Sequence, residues 1–124
     1  MDWMEVIGAH VMWKQRLTAF LAGDATEALD PETIRLDNRC ALGQWIYGDG
    51  AAMSQLPRYD EVRDLHAQFH WLAADIVKLH LAGNTTEAEK LLQGDYTRLS
   101  EKLKHRIISL SQQVKSASSG IPPF

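Results

Sequence analysis

With one cysteine, Cys40, the chain cannot form an internal disulfide, and at 124 residues it does not need one to bury a core. A reducing, cytoplasmic setting is the expectation. No uninterrupted apolar run approaches the roughly 18 residues of a membrane helix; the most apolar stretches are broken by Lys14, Asp75 and Lys78. The start, Met1-Asp2-Trp3-Met4-Glu5, has no basic segment feeding a long apolar run, which speaks against a secretory leader. Basic charge is not in excess either. Lys and Arg number 13 against 16 Asp and Glu, for a net charge of −3, and the two signs are interspersed, so the footprint of a nucleic-acid binder is missing. No strand alternation, internal repeat, Ser/His/Asp arrangement or glycine-rich phosphate loop stands in a credible context.

What is present is helical periodicity. Trp3, Val6, Ile7, Val11, Leu17, Phe20 and Leu21 recur as one face of a first helix, which Gly23-Asp24 ends. Residues 22 to 38 read as a polar connection, with Asp30-Pro31-Glu32 offering a short helical start. A brief helix carries the cysteine until Gly48-Asp49-Gly50 breaks it. Pro57 marks a third helix with the stripe Val62, Leu65, Phe69, Leu72, Ala73, Ile76 and Leu79, stopped by Gly83-Asn84. Thr85 or Thr86 can cap the last helix, whose stripe is Leu92, Tyr96, Leu99, Leu103, Ile107, Leu110 and Val114. Gly94 weakens it locally, by roughly 1 kcal/mol relative to Ala. The expected fold is an all-α, four-helix-bundle-like domain over residues 1–115, with a short additional helical segment for the cysteine and a tail over 116–124.

Four side chains in this frame carry chemistry. His66 and His70 are four apart on one helix, so their Cβ atoms lie about 5 to 6 Å apart and both rings can reach one ion. Such a pair can equally face solvent, but these two flank Leu65 and Phe69, where a bare imidazole needs a partner. His10 sits between Ile7 and Val11; alone it reads as a core histidine bonded to a carbonyl. Cys40 alone reads as a small buried hydrophobe. Together, three imidazoles and a thiol on three helical segments make the tetrahedral set that zinc prefers. His66-Ala67-Gln68-Phe69-His70 lacks the glutamate of a zincin, and no glutamate precedes a histidine by three residues as di-iron bundles require. Trp13, Trp45 and Trp71 near the ligands could shield a site, although aromatic residues at helical spacing are usually plain core. His80 and His105 read as cations at helix ends.

The succession His10-Val11-Met12-Trp13, Cys40-Ala41-Leu42-Gly43-Gln44-Trp45 and His66-x-x-x-His70 resembles the chemoreceptor zinc-binding domain family, most specifically in Cys-x-Leu-Gly-x-Trp. The resemblance implies a helical bundle with one zinc held by His10, Cys40, His66 and His70. It also implies a regulatory role without enzyme activity, sensing zinc or an oxidant of the zinc-bound thiolate. The implied output is bacterial signalling, through a chemoreceptor or a diguanylate cyclase. A homodimer or an output protein in trans is the expected partner, with the last helix as the readout, and neither nucleic acid nor membrane is expected. The chain is expected to be a free-standing member or an isolated domain. The rival readings are a structural zinc-stabilised interaction module and a metal-dependent enzyme.

Overall fold

The computed structural model describes residues 1–24 and 28–118, and all regular structure among them is helical. The first helix, α1, runs over Trp3–Leu21. Asp2 caps it by accepting the Glu5 amide at 3.1 Å, which satisfies one of the first-turn donors that a helix leaves unpaired. Gly23, at φ 77°, then turns the chain away through a left-handed conformation that glycine adopts without a steric penalty. The single turn α2, Pro31–Ile34, begins as its sequence suggests: Asp30 accepts the Glu32 amide at 3.0 Å and Pro31 fills a position that needs no N–H. Helix α3, Ala41–Tyr47, has Cys40 as its N-cap and leads into a 3₁₀ turn over Asp49–Met53.

Helix α4, Tyr59–Leu81, is the longest. It is followed by α5 (Thr85–Leu91), a π-helical turn (Leu92–Tyr96) and α6 (Thr97–Ser118), which succeed one another without a break. α4 is the centre of the bundle: α6, α5 and α2 pack along it, α1 and α3 touch it, and α1 also lies against α6. Val62, Phe69, Ile76, Leu103, Ile107 and Leu110 of the two stripes are fully enclosed, whereas Leu72, Leu79, Leu99 and Val114 are only partly buried and Tyr59, Ala74 and Val77 of α4 join the core from outside its stripe. α6 also serves α4 directly. Gln113 accepts the Arg58 amide at 3.1 Å, and Glu61 bonds both Arg58, at 3.0 Å, and Arg106.

The architecture is the expected all-α bundle, with three local differences. Val11 is 47 % exposed and lies outside the core. The segment Trp3 to Trp13 has only one charged residue, Glu5, so α1 is apolar around most of its circumference and periodicity alone cannot orient it. The third helix starts at Tyr59, two residues beyond Pro57. The last helix runs through Ser118, past the expected boundary at 115, because Ser116 and Ala117 do not stop a helix; the rest of the expected tail lies outside the described residues.

Gly43 explains how α3 fits. A Cβ built there would stand 1.8 Å from the Asp37 backbone oxygen, so only glycine lets the helix approach the preceding segment this closely. Trp45 covers Gly50 and meets Trp3 edge-on at 5.0 Å, and the Tyr59 hydroxyl donates to the Ile46 carbonyl. Gly43→Ala is therefore expected to lower the stability of the metal-free protein by about 1–3 kcal/mol in urea unfolding. Gly8→Ala, where a Cβ would meet nothing within 4 Å, should instead raise it by roughly 1 kcal/mol.

Candidate metal centre

The bundle brings His10, Cys40, His66 and His70 together, so that one donor atom from each lies within 4.8 Å of all the others. Three elements position them. α1 contributes His10, whose Nδ1 stands 2.8 Å from the Val6 carbonyl of the preceding turn. α4 contributes His66 and His70 one turn apart, with Nε2 atoms 3.0 Å from each other. The N-cap of α3 contributes the thiol, with Sγ 3.2 Å from His66 Nε2 and 3.7 Å from His70 Nε2. His66 is fully buried, His10 and His70 nearly so, and Cys40 is half-buried.

Hydrogen bonding fixes what these atoms offer. A carbonyl only accepts, so the Nδ1 of His10 donates to Val6 and the Nδ1 of His70 donates to the Ile34 carbonyl at 2.8 Å. In the neutral rings Nε2 is then a bare lone pair. Burial pushes all three imidazoles below their ordinary value, His66 to about 2 with help from its neighbouring rings, so they are neutral near pH 7. Burial also pushes the Cys40 thiol up, against the Gly43 amide that donates to its sulfur at 3.4 Å. Nε2 and Sγ atoms 3.0 to 3.7 Å apart are held together by a shared proton, from the thiol or the His66 ring, or by a cation. A tetrahedral zinc with bonds of 2.0–2.3 Å would set its donors roughly 3.3–3.6 Å apart, close to these separations. The residues fit that ion, and its charge would favour the thiolate that burial disfavours.

Two supporting features were not readable in the sequence. The acceptors behind His10 and His70 are backbone carbonyls, which any residue supplies, whereas His66 Nδ1 is buried with no partner among the described residues. Phe69 sets its ring edge-on to His10 at 5.1 Å and to His70 at 5.7 Å, although its sequence pattern marks it only as core. Trp13, Thr33, Arg39, Cys40 and His70 are among the residues lining a cavity of about 350 Å³. Of the tryptophans, Trp13 lines this cavity, Trp45 is packed under α3 and Trp71 is half-exposed on an outer groove. The other histidines stay apart, His80 bonded to the Thr85 hydroxyl at 2.8 Å and His105 exposed.

A family model described as the chemoreceptor zinc-binding domain matches residues 10–77, more than half of the chain. That span starts at His10 and contains the other three cluster residues. No curated protein and no solved structure matches.

The depressed imidazoles give the metal-free protein a pH dependence of definite sign. Groups with a folded value below their unfolded one, near 6.5, leave the unfolded chain binding more protons as pH falls. Stability of the chelator-treated protein is expected to be fully present above about pH 6.5 and to decline progressively toward pH 2, the value to which His66 is pushed. Urea midpoints measured from pH 8 down to pH 4 check this. A flat profile that His66→Gln does not alter would refute it.

Proposed function

The chain belongs to the chemoreceptor zinc-binding domain family, and from that premise we propose that His10, Cys40, His66 and His70 bind one zinc ion and that the domain is a regulatory sensor, not an enzyme. The observation that carries the reading is the convergence of three imidazoles and one thiol, drawn from α1, α3 and α4, on a single buried point. Zinc bound there would join those three elements and hold Cys40 as thiolate. With all four positions taken by protein donors, no open position remains for a hydrolytic water, which disfavours the metal-dependent enzyme. Cys40 is the one anionic donor, and it is half-buried and lines a cavity together with Thr33 and Arg39. That access supports a site that exchanges zinc or meets an oxidant over a sealed structural one. The output in this reading is bacterial signalling, through a chemoreceptor or diguanylate cyclase acting in trans.

Elemental analysis tests the site. Wild type is expected to carry one zinc per chain, and Cys40→Ala and His70→Ala to retain little. In the cobalt-substituted protein, a thiolate charge-transfer band with tetrahedral ligand-field features is expected and should vanish in Cys40→Ala. A metal-free wild type, undiminished variants or a five-coordinate spectrum would overturn the assignment. A structural module would hold its zinc against strong chelators until it unfolded, whereas the sensor reading requires exchange in the folded state.

The partner in this reading includes a second copy of the chain. A groove of about 630 Å³ between α4 and α6 has half-exposed Trp71 with Leu72 and Leu99 at its centre. Asp75 lies toward one end, where Asp95 is paired with Arg98, and Lys102 lies toward the other. Two copies related by a two-fold axis across the groove set the basic end of each against the acidic end of its partner. Lys102→Glu should shift the species seen by sedimentation from dimer toward monomer, and adding Asp75→Lys should restore it; a monomeric wild type would refute the surface.

A further inference from the structure

We propose that Tyr96 is a positioning residue of the metal centre, and that the ring stack from Tyr96 through Phe69 to His10 and His70 makes the π-helical turn Leu92–Tyr96 a two-state joint through which occupancy of the site sets α6. The proposal rests on the zinc reading above and adds to it the route by which the last helix responds.

The route is continuous. Phe69 lies between the two α4 histidines in sequence, is 1 % exposed, and meets His10 and His70. The same ring stands 5.3 Å from that of Tyr96, which is fully buried. A ligand ring that shifts when its donor atom is released therefore moves against Phe69, and Phe69 in turn moves against Tyr96, because a close-packed interior leaves no slack between them.

The joint is built to have a second state. A π turn is a rare interruption of an α-helix, often found at functional sites, and here it separates α5 from α6 in an otherwise uninterrupted rod. Gly94 in its middle is the weakest helix former short of proline, and the Thr97 hydroxyl bonds the Leu92 carbonyl across the turn at 2.8 Å. The Tyr96 hydroxyl is buried without a hydrogen-bond partner among the described residues. An unsatisfied buried hydroxyl penalises the conformation that contains it, so this set of the turn is retained by the packing of Tyr96 on Phe69. A set that lets the hydroxyl reach water competes with it. Both the ligand rings and the hydroxyl thus bias one equilibrium, which is the physical content of coupling between the site and α6.

Coupling is reciprocal, which gives the test. Zinc affinity is read by competition with a chromophoric chelator and turn dynamics by amide hydrogen exchange, in wild type, Tyr96→Phe and Tyr96→Leu. Stripping zinc from wild type is expected to speed exchange over residues 92–100 more than over 104–114 of the same helix. Tyr96→Phe keeps the ring and removes the unpaired hydroxyl; it should bind zinc roughly 3- to 10-fold more tightly and lose most of that zinc-dependent exchange difference. Tyr96→Leu removes the ring and should bind more weakly, with fast exchange over 92–100 whether or not zinc is present; if it does not fold, Tyr96→Phe decides alone. Wild-type affinity and an unchanged exchange difference in Tyr96→Phe, or no response of 92–100 to zinc in wild type, overturns the joint while leaving the zinc site standing. A wild type that binds no zinc sinks the site assignment and the joint with it.

Discussion

The rest of the bundle is arranged around one meeting of buried polar atoms: imidazole nitrogens and a sulfur turned toward one another at 3.0 to 3.7 Å. Desolvation holds the rings uncharged and the thiol protonated, so without an ion the protons between these atoms are those the neutral groups already carry. Two of the rings are further locked into the tautomer that points a lone pair inward, because Val6 and Ile34 present carbonyls to their other nitrogens. A core that gathers three uncharged imidazoles and a thiol at one point is complementary to a metal cation. The donor set of three nitrogens and one sulfur selects a borderline-soft ion over calcium or magnesium.

The local oddities of the chain follow from bringing Cys40 to that point. The thiol belongs to a seven-residue helix that has little packing area of its own, so its placement depends on close backbone approach at Gly43. Trp45 and Leu42 beneath it, with the Tyr59 hydroxyl on the Ile46 carbonyl, fix its orientation against α4. Cys-x-Leu-Gly-x-Trp is thus a mechanical unit: cap and donor, core anchor, permitted backbone contact, and an aromatic cover. α2 serves the same end, since its Ile34 both fills the core and lends the carbonyl that orients His70.

The parts legible in the sequence are those with a period or a distinctive donor. The stripes of α4 and α6 mark the centre of each buried face because charged residues occupy the opposite side, while their edges differ, with Leu72 and Leu99 partly buried and Ala74 and Val77 enclosed; His66 and His70 form a pair because four residues make about one helical turn. α1 was legible as a helix and ambiguous in orientation, so Val11 was placed inside when it is outside. His10 was in doubt for the same reason until the cysteine and the histidine pair supplied a place for it to point. What no pattern revealed is what the backbone contributes: the carbonyls of Val6 and Ile34, and the π turn, of which Gly94 is the single trace in the sequence. These depend on the three-dimensional path of atoms that every residue possesses.

The distribution of apolar burial bears on what kind of site this is. Where a small domain has almost no core, a metal site is the fold, and losing the ion unfolds the chain. Here the enclosed residues extend well beyond the four donors, from Leu17 and Ile76 to Leu103 and Leu110, so most of the hydrophobic stabilisation is independent of the ion. A bundle of this kind can persist with the site empty and differ only around it. That persistence separates a site able to report occupancy from one that merely staples a chain, because a signal requires two folded states to compare.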